Sequence, residues 1–353
     1  MQTTSVKAFG TTAPEADLAP LQINRRAVQP KDIEIEILYC GVCHSDLHTA
    51  RNDWRGSIYP VVPGHEIIGR ITAVGNEVTK FKVGDLAGVG CMVDSCKTCS
   101  SCQQDLEQYC LNGFTGTYNG QDLHLGGQTF GGYSEKVVVD EHYVLSIPQN
   151  LELAAVAPLL CAGITVWSPL KHWNVNEGSK VAVIGLGGLG HMAIKLANGL
   201  GAEVTLFSRT PDKAEDAKAL GAHHVVISTD EAQMKAVRGH FDVIIDTVPY
   251  VHDVNPYVST LNINGTLVLV GYLGGLEPIL NTVPMILGRK SVAGSLIGGI
   301  AETQEMLDFC GEKGIVSEIE IIKMQDINTA YERMLKSDVR YRFVIDMASL
   351  KNS

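Results

Sequence analysis

Four cysteines in the window 96–110, Cys96-Lys97-Thr98-Cys99-Ser100-Ser101-Cys102 followed by Cys110, constrain this chain more than any other stretch. The spacing C-x2-C-x2-C-x7-C lets one loop aim four sulfurs at a common centre. Four thiolates with no open position describe a structural zinc site. A disulfide cluster and cysteines scattered by chance are the competing readings. The opening residues Met1-Gln2-Thr3-Thr4-Ser5-Val6 lack the charged and apolar regions of a signal peptide. In a reduced compartment such a cluster binds metal more often than it cross-links. The expectation is a zinc-stapled loop in a cytoplasmic protein.

At 353 residues the chain is long for one core, and two domains are expected. Its formal charge of −11 argues against a nucleic-acid or anionic-membrane partner, either of which calls for a basic face. The longest apolar run, 153–167, is shorter than a bilayer span and is interrupted by Pro158 and Gly163.

The first third reads as β-rich. Ile33, Ile35 and Ile37 alternate with Glu34 and Glu36, the period of a half-buried strand. Further strands are expected at 67–74 and 136–139, among glycine- and proline-rich turns. Near residue 150 the texture changes. A helix is expected over 151–160, then strands at 180–184, 204–207, 225–227, 243–245 and 267–270, with a helix at 191–200. That alternation implies a parallel sheet covered on both faces. Helices at 302–312 and 326–336 and a strand at 341–345 follow, and this tail must pack away from the parallel sheet.

Gly185-Leu186-Gly187-Gly188-Leu189-Gly190 fits G-x-G-x-x-G and stands between the strand at 181–184 and a helix. In that context the glycines make a turn, admit a pyrophosphate to the backbone, and let helix pack on strand. A plain tight turn without a ligand is the alternative. An NAD site places an acid about 20 residues further on. Here Ser208-Arg209-Thr210, with Lys213 behind, ends the next strand. No carboxylate is present to repel a 2′-phosphate, and Arg209 can pair with one. NADP(H) is therefore the expected cofactor, although Arg209 and Lys213 also fit a solvated surface.

Cys43, His65 and Cys161 are too far apart for spacing to show that they converge. A buried cysteine is commonly a small hydrophobe. The surrounding residues say more: Gly64-His65-Glu66-x2-Gly69-x5-Gly75-x2-Val78 resembles the signature of zinc-containing alcohol dehydrogenases of the medium-chain dehydrogenase/reductase superfamily. The resemblance covers essentially the whole chain. It is strongest to the cinnamyl alcohol dehydrogenase branch and its bacterial aldehyde reductases, through the segments 39–48, 157–165 and 294–299.

This resemblance implies an α/β fold: a GroES-like β-rich catalytic domain, residues 1–152 and 295–353, around a Rossmann doubly wound domain, residues 153–294. It implies a catalytic zinc on Cys43, His65 and Cys161, a set with one open position, in addition to the structural zinc on Cys96, Cys99, Cys102 and Cys110. Glu66 matches a carboxylate that stands beside the metal or ligates it transiently, and Asp46 one that orients the histidine ligand. Ser45 and His48 match a proton relay. His44 and Arg342 match positions facing the cofactor pyrophosphate, Thr165 matches the residue backing the nicotinamide, and Val270 joins the cofactor site. Trp54, Met92, Leu296 and Ile297 match the substrate pocket. Homodimerisation is implied likewise.

The expected reaction is hydride transfer between NADP(H) and primary alcohols or aldehydes, with zinc as Lewis acid on the substrate oxygen. Aldehyde reduction is the expected direction, because cells keep NADPH reduced. The alternatives are a polyol or secondary-alcohol dehydrogenase, a catalytically silent NADP(H)-binding regulator, and a zinc-ribbon nucleic-acid binder, which the acidic balance disfavours.

Overall fold

A computed structural model describes residues 2–352. Two strands, Thr3–Gly10 (β1) and Ala19–Arg26 (β2), pair antiparallel at the start. Asp32–Gly41 (β3) is the hub of a larger sheet. Its isoleucines 33, 35 and 37 are each at most 3% exposed, while Glu34 on the alternate face pairs with Lys136 at 2.8 Å. Ile67–Val74 (β4) lies antiparallel to β3, and Leu86–Val89 (β5) lies antiparallel to β4. Met92–Asp94 (β6) and Thr115–Gly116 (β7) form a separate ribbon that brackets the four-cysteine loop. Lys136–Asp140 (β8) joins β3, and Leu145–Ser146 (β9) joins β5. Helix α1, His44–Ala50, leaves the end of β3.

The helix expected over 151–160 is broken. Leu153–Val156 (α2) passes into a tighter turn, Ala157–Leu160, with Pro158 at its start. Proline has no N–H to continue an α-helical ladder. These residues pack on β3, β4 and β5, so the first unit comprises Met1–Cys161 and Gly298–Ser353, and the second comprises Ala162–Ile297. The boundary thus falls nine residues later than 152.

The second unit opens with Ala162–His172 (α3) and then alternates. Lys180–Ile184 (β10), Gly190–Gly199 (α4), Glu203–Ser208 (β11), Ala214–Ala219 (α5) and His224–Ile227 (β12) form its first half. Glu231–Ala236 (α6), Phe241–Asp246 (β13), Asn255–Thr260 (α7), Leu261–Leu269 (β14), Thr282–Gly288 (α8) and Ser291–Gly294 (β15) form the second. All six strands are parallel, in the order β12-β11-β10-β13-β14-β15. The order reverses between β10 and β13, the switch point at which such sheets bind ligands. Phe207 anchors one layer of the core, meeting Phe241 and Tyr257 edge-on at 5.3 and 5.1 Å.

The tail returns to the first unit: Ile300–Lys313 (α9), Ile319–Lys323 (β16), Ile327–Leu335 (α10) and Arg342–Asp346 (β17). β17 pairs antiparallel with β3, so its first residue arrives at the end where β3 stops and β4 begins. That end of the sheet carries the site.

Candidate active site

The β3–β4 register aligns Cys40 with Ile67, so the residues following β3 and those preceding β4 meet. Cys43 caps α1, and its N–H donates to Asp46 Oδ2 at 2.8 Å. Asp46 Oδ1 accepts from Gly64 N–H at 3.0 Å and lies 3.5 Å from His65 Nδ1. Tyr133 donates to Oδ2 at 3.3 Å. One fully buried carboxylate therefore fixes both segments and turns His65 Nε2 away, where it is buried without a partner. Ligand atoms of Cys43, His65, Glu66 and Cys161 all lie within 4.8 Å of one another. The Cys43 and Cys161 sulfurs are 3.9 Å apart; zinc–sulfur bonds of about 2.3 Å at tetrahedral angles separate sulfurs by about 3.8 Å. Two soft thiolates and an imidazole suit zinc.

The electrostatics fit a dication. A hydrogen bond from Cys161 pulls the Cys43 thiol well below its ordinary range against burial, helped by His65 and Arg342. Cys161 is raised by the same contact, so the pair shares a proton that a metal would displace. Burial raises Glu66 to about 7, opposed by Arg342. Arg342 pairs with Glu66 Oε1, while Oε2 is buried and unpartnered. A Cβ at Gly41 would collide with that second oxygen, so glycine makes the room.

The four-cysteine loop closes independently. Cys96 and Cys102 sulfurs are 3.9 Å apart, Cys99 and Cys102 3.5 Å, and Cys99 and Cys110 4.0 Å. All nine cysteines are free. Backbone N–H groups of Cys99, Leu111 and Cys96 point at sulfurs of Cys96, Cys99 and Cys110 within 3.5 Å. Such donors favour thiolates, and backbone bonds from Thr98 and Cys99 lower Cys96 to about 5. The donor set matches a closed zinc site.

Around the first site, Ser45 Oγ lies 3.6 Å from Cys43 Sγ. His48, three residues further along α1 on the same face, places Nδ1 2.8 Å from Asp53 Oδ2. Trp54, 47% exposed, packs its ring 5.1 Å from His48. His44 is lowered, first by burial, which favours a neutral ring. Met92 is buried in β6. Leu296 and Ile297 belong to the second unit, as does Thr165, which is buried in α3.

In the second unit Gly185 adopts φ +90°, a left-handed conformation that glycine accepts without strain. A Cβ on Gly187 would meet nothing within 4 Å, and one on Gly190 would strike the Gly185 carbonyl. The middle glycine thus leaves open the face that a pyrophosphate needs, with Leu186, Gly188 and Leu189 completing the turn into α4. Ser208 ends β11 with its hydroxyl donating to the Thr210 carbonyl at 2.7 Å. Arg209 is exposed and makes no ion pair among the described residues, and Lys213 is half-buried at the start of α5. Val270 follows β14, its N–H bonded to the Asp246 carbonyl at 3.0 Å.

Sequence reasoning passed over Asp53, which orients His48, and Tyr118, whose ring stacks on His65 at 5.5 Å. Asp53 had a faint signal, an acid one turn beyond the histidine. Tyr118 had none, because its partner lies 53 residues away in sequence.

Purified protein is expected to carry two zinc ions per chain by elemental analysis. Chelation should strip the open site first with loss of activity, and the closed site only with loss of thermal stability. A single ion, or simultaneous loss of both, contradicts the two-site assignment.

Two family models match in series: an alcohol dehydrogenase GroES-like domain over residues 29–149 and a zinc-binding dehydrogenase over 188–312. The chain is 53% identical to aldehyde reductase YahK of Escherichia coli (strain K12), covering 98% of this chain and 99% of that protein. It is 51% identical to a probable mannitol dehydrogenase of Medicago sativa, covering 98% and 96% respectively. The structure of CAD from Helicobacter pylori complexed with NADP(H) superposes with a TM-score of 0.90 at 44% identity, covering 98% of this chain and 99% of that one. Identity above half over nearly the full length leaves one conclusion: the chain belongs to the zinc-dependent alcohol dehydrogenase family.

Proposed function

We propose that this protein is an NADP(H)-linked oxidoreductase for primary alcohols and aldehydes, acting chiefly as an aldehyde reductase. The observation that carries the reading is the buried Cys43–His65–Cys161 set with Ser45 and His48 on the adjoining helix. Zinc held there supplies Lewis-acid polarisation of a carbonyl oxygen. The rest is the work of the side chains. Asp46 holds the His65 ring with Nε2 forward, and Glu66, restrained by Arg342, offers a further oxygen donor. Ser45 donates a proton to the substrate oxygen, and His48, oriented by Asp53, passes protons to and from solvent. The glycine loop seats the dinucleotide, with Thr165 and Val270 of the same unit assigned to its site, and the cofactor-facing roles of His44 and Arg342 follow the resemblance. A reduced compartment such as the cytoplasm suits nine free cysteines.

Selectivity for NADP(H) is assigned to Ser208, Arg209 and Lys213. Arg209→Ala should cost on the order of 1–3 kcal/mol of NADPH binding and leave NADH binding nearly unchanged, as read by fluorescence titration. Equal losses for both cofactors would give the arginine another role.

The mannitol-named relative supports a polyol dehydrogenase as the second reading. Against it, the residues assigned to substrate contact, Trp54, Met92, Leu296 and Ile297, are all apolar side chains, and each substrate hydroxyl left unpaired costs about 1–3 kcal/mol. A panel of primary aldehydes, alcohols and mannitol with both cofactors separates the readings. Trp54→Ala should raise KM for cinnamaldehyde- or benzaldehyde-like substrates far more than for acetaldehyde. A uniform effect on all aldehydes would instead trace to the contact between Trp54 and His48.

A second copy of the chain is proposed to cover the outer edge of the parallel sheet. Among the described residues β15 pairs only with β14, and α8 beside it exposes Val283, Ile286 and Leu287 at 58, 77 and 82%. Unpaired strand edges flanked by apolar surface suit twofold pairing. Light scattering should return twice the chain mass, and Leu287→Asp should shift it toward the monomer.

A further inference from the structure

The carboxyl edge of the parallel sheet holds a negative charge where a dinucleotide would least tolerate one. Asp246 ends β13, is 1% exposed, and is the register partner of Ile184, the residue before Gly185. It therefore stands at the switch point, beside the glycine loop. Thr247, the next residue, donates to the Ile184 carbonyl at 2.7 Å and packs against Gly185. Asp246 Oδ1 accepts from Val248 N–H at 3.1 Å. Its Oδ2 lies 3.0 Å from His252 Nε2, as a charge pair without the alignment of a hydrogen bond.

The other nitrogen of His252 faces an acceptor too. Nδ1 lies 3.0 Å from the Tyr250 carbonyl, which can only accept, so Nδ1 carries a proton. An unprotonated Nε2 would set its lone pair against a carboxylate oxygen. Both ring nitrogens thus face oxygen acceptors, which favours the protonated ring: its pKa is raised first by Asp246, against burial, and then by the Tyr250 carbonyl. Beside it among the described residues stand Asp253 on its own loop and Tyr257 of α7, whose ring stands edge-on at 6.3 Å. Tyr257 in turn packs on Phe207, next to Ser208 and Arg209. His252 thus sits in the layer between the glycine loop and the strand end assigned to the 2′-phosphate.

We propose that His252 is a positioning residue of the dinucleotide site that cancels the Asp246 carboxylate and so permits the cofactor phosphates to approach the glycine loop. The proposal rests on the NADP(H) reading above. Its effect extends to the pyrophosphate, which NADH shares, and is larger for NADPH, which carries the additional phosphate charge.

The test is NADPH and NADH binding by fluorescence titration to the zinc-loaded protein and to His252→Gln, Asp246→Asn and the double variant. His252→Gln should weaken NADPH about tenfold and NADH less, since an uncompensated charge acts more strongly on the more anionic ligand. The double variant, which lacks the stranded carboxylate, should return to within about threefold of the wild type. A purely structural clip would leave the double variant as weak as the single one. In the wild type the compensation is present at low pH and lost as pH rises through the raised His252 pKa, so affinity should fall across that range and stay flat in the double variant. If His252→Gln does not fold, Asp246→Asn alone decides: binding equal to or tighter than wild type supports compensation, and weaker binding overturns it. Unchanged NADPH binding in His252→Gln also overturns it. Wild-type protein that binds NADH as tightly as NADPH would defeat the selectivity reading only, because the His252 effect is read on NADH as well.

Discussion

Two thiols, an imidazole and two carboxylates converge at one dry end of a β-sheet, and the catalytic unit is arranged around keeping that collection electrically tolerable. Buried charge is costly unless paired. Asp46 is satisfied by two backbone N–H groups and the Tyr133 hydroxyl, and it faces His65. Glu66 is met by Arg342, which comes from the far end of the chain. That pairing depends on the chain's return to the first unit, where β17, beginning at Arg342, lies against β3. Without the returning strand, Glu66 would be an uncompensated carboxylate among sulfurs.

The two metal sets divide their work by closure. At the outer loop, four sulfurs and inward-pointing backbone N–H groups leave no place for a substrate, so a metal there holds a lobe in shape. At the sheet end, three ligands and a restrained glutamate leave room for exchange. Ser45 and His48 stand on the helix that begins at the first of those ligands, so the proposed proton path and the proposed metal ligand share one turn.

The second unit solves a different electrostatic problem. A parallel sheet gathers its strand ends, the glycine loop and an α-helix N-terminus at one edge, all suited to phosphate. Asp246 breaks that pattern and His252 answers it from the adjacent loop. At the end of β11 the sequence Ser208-Arg209-Thr210 holds no acid, and Arg209 is exposed.

Local features were legible in the residues alone. The four cysteines lie within fifteen positions, so short loops leave them little choice but to meet, and the glycine motif is bounded by its own strand and helix. The alternation of isoleucine and glutamate in β3 likewise specifies which face is buried. Tertiary structure decided the rest. Cys43 and Cys161 are 118 residues apart, and only the register of β3 against β4, with the turn after α2, brings them to 3.9 Å. Pro158 interrupts a helix whose apolar pattern predicted continuity, and the contacts of the residues around it place Cys161 at the end of the first unit. Asp53, Tyr118 and the Asp246–His252 pair take their meaning from neighbours that no sequence spacing specifies. Spacing governs groups that a short loop ties together, and sheet register governs those that it does not.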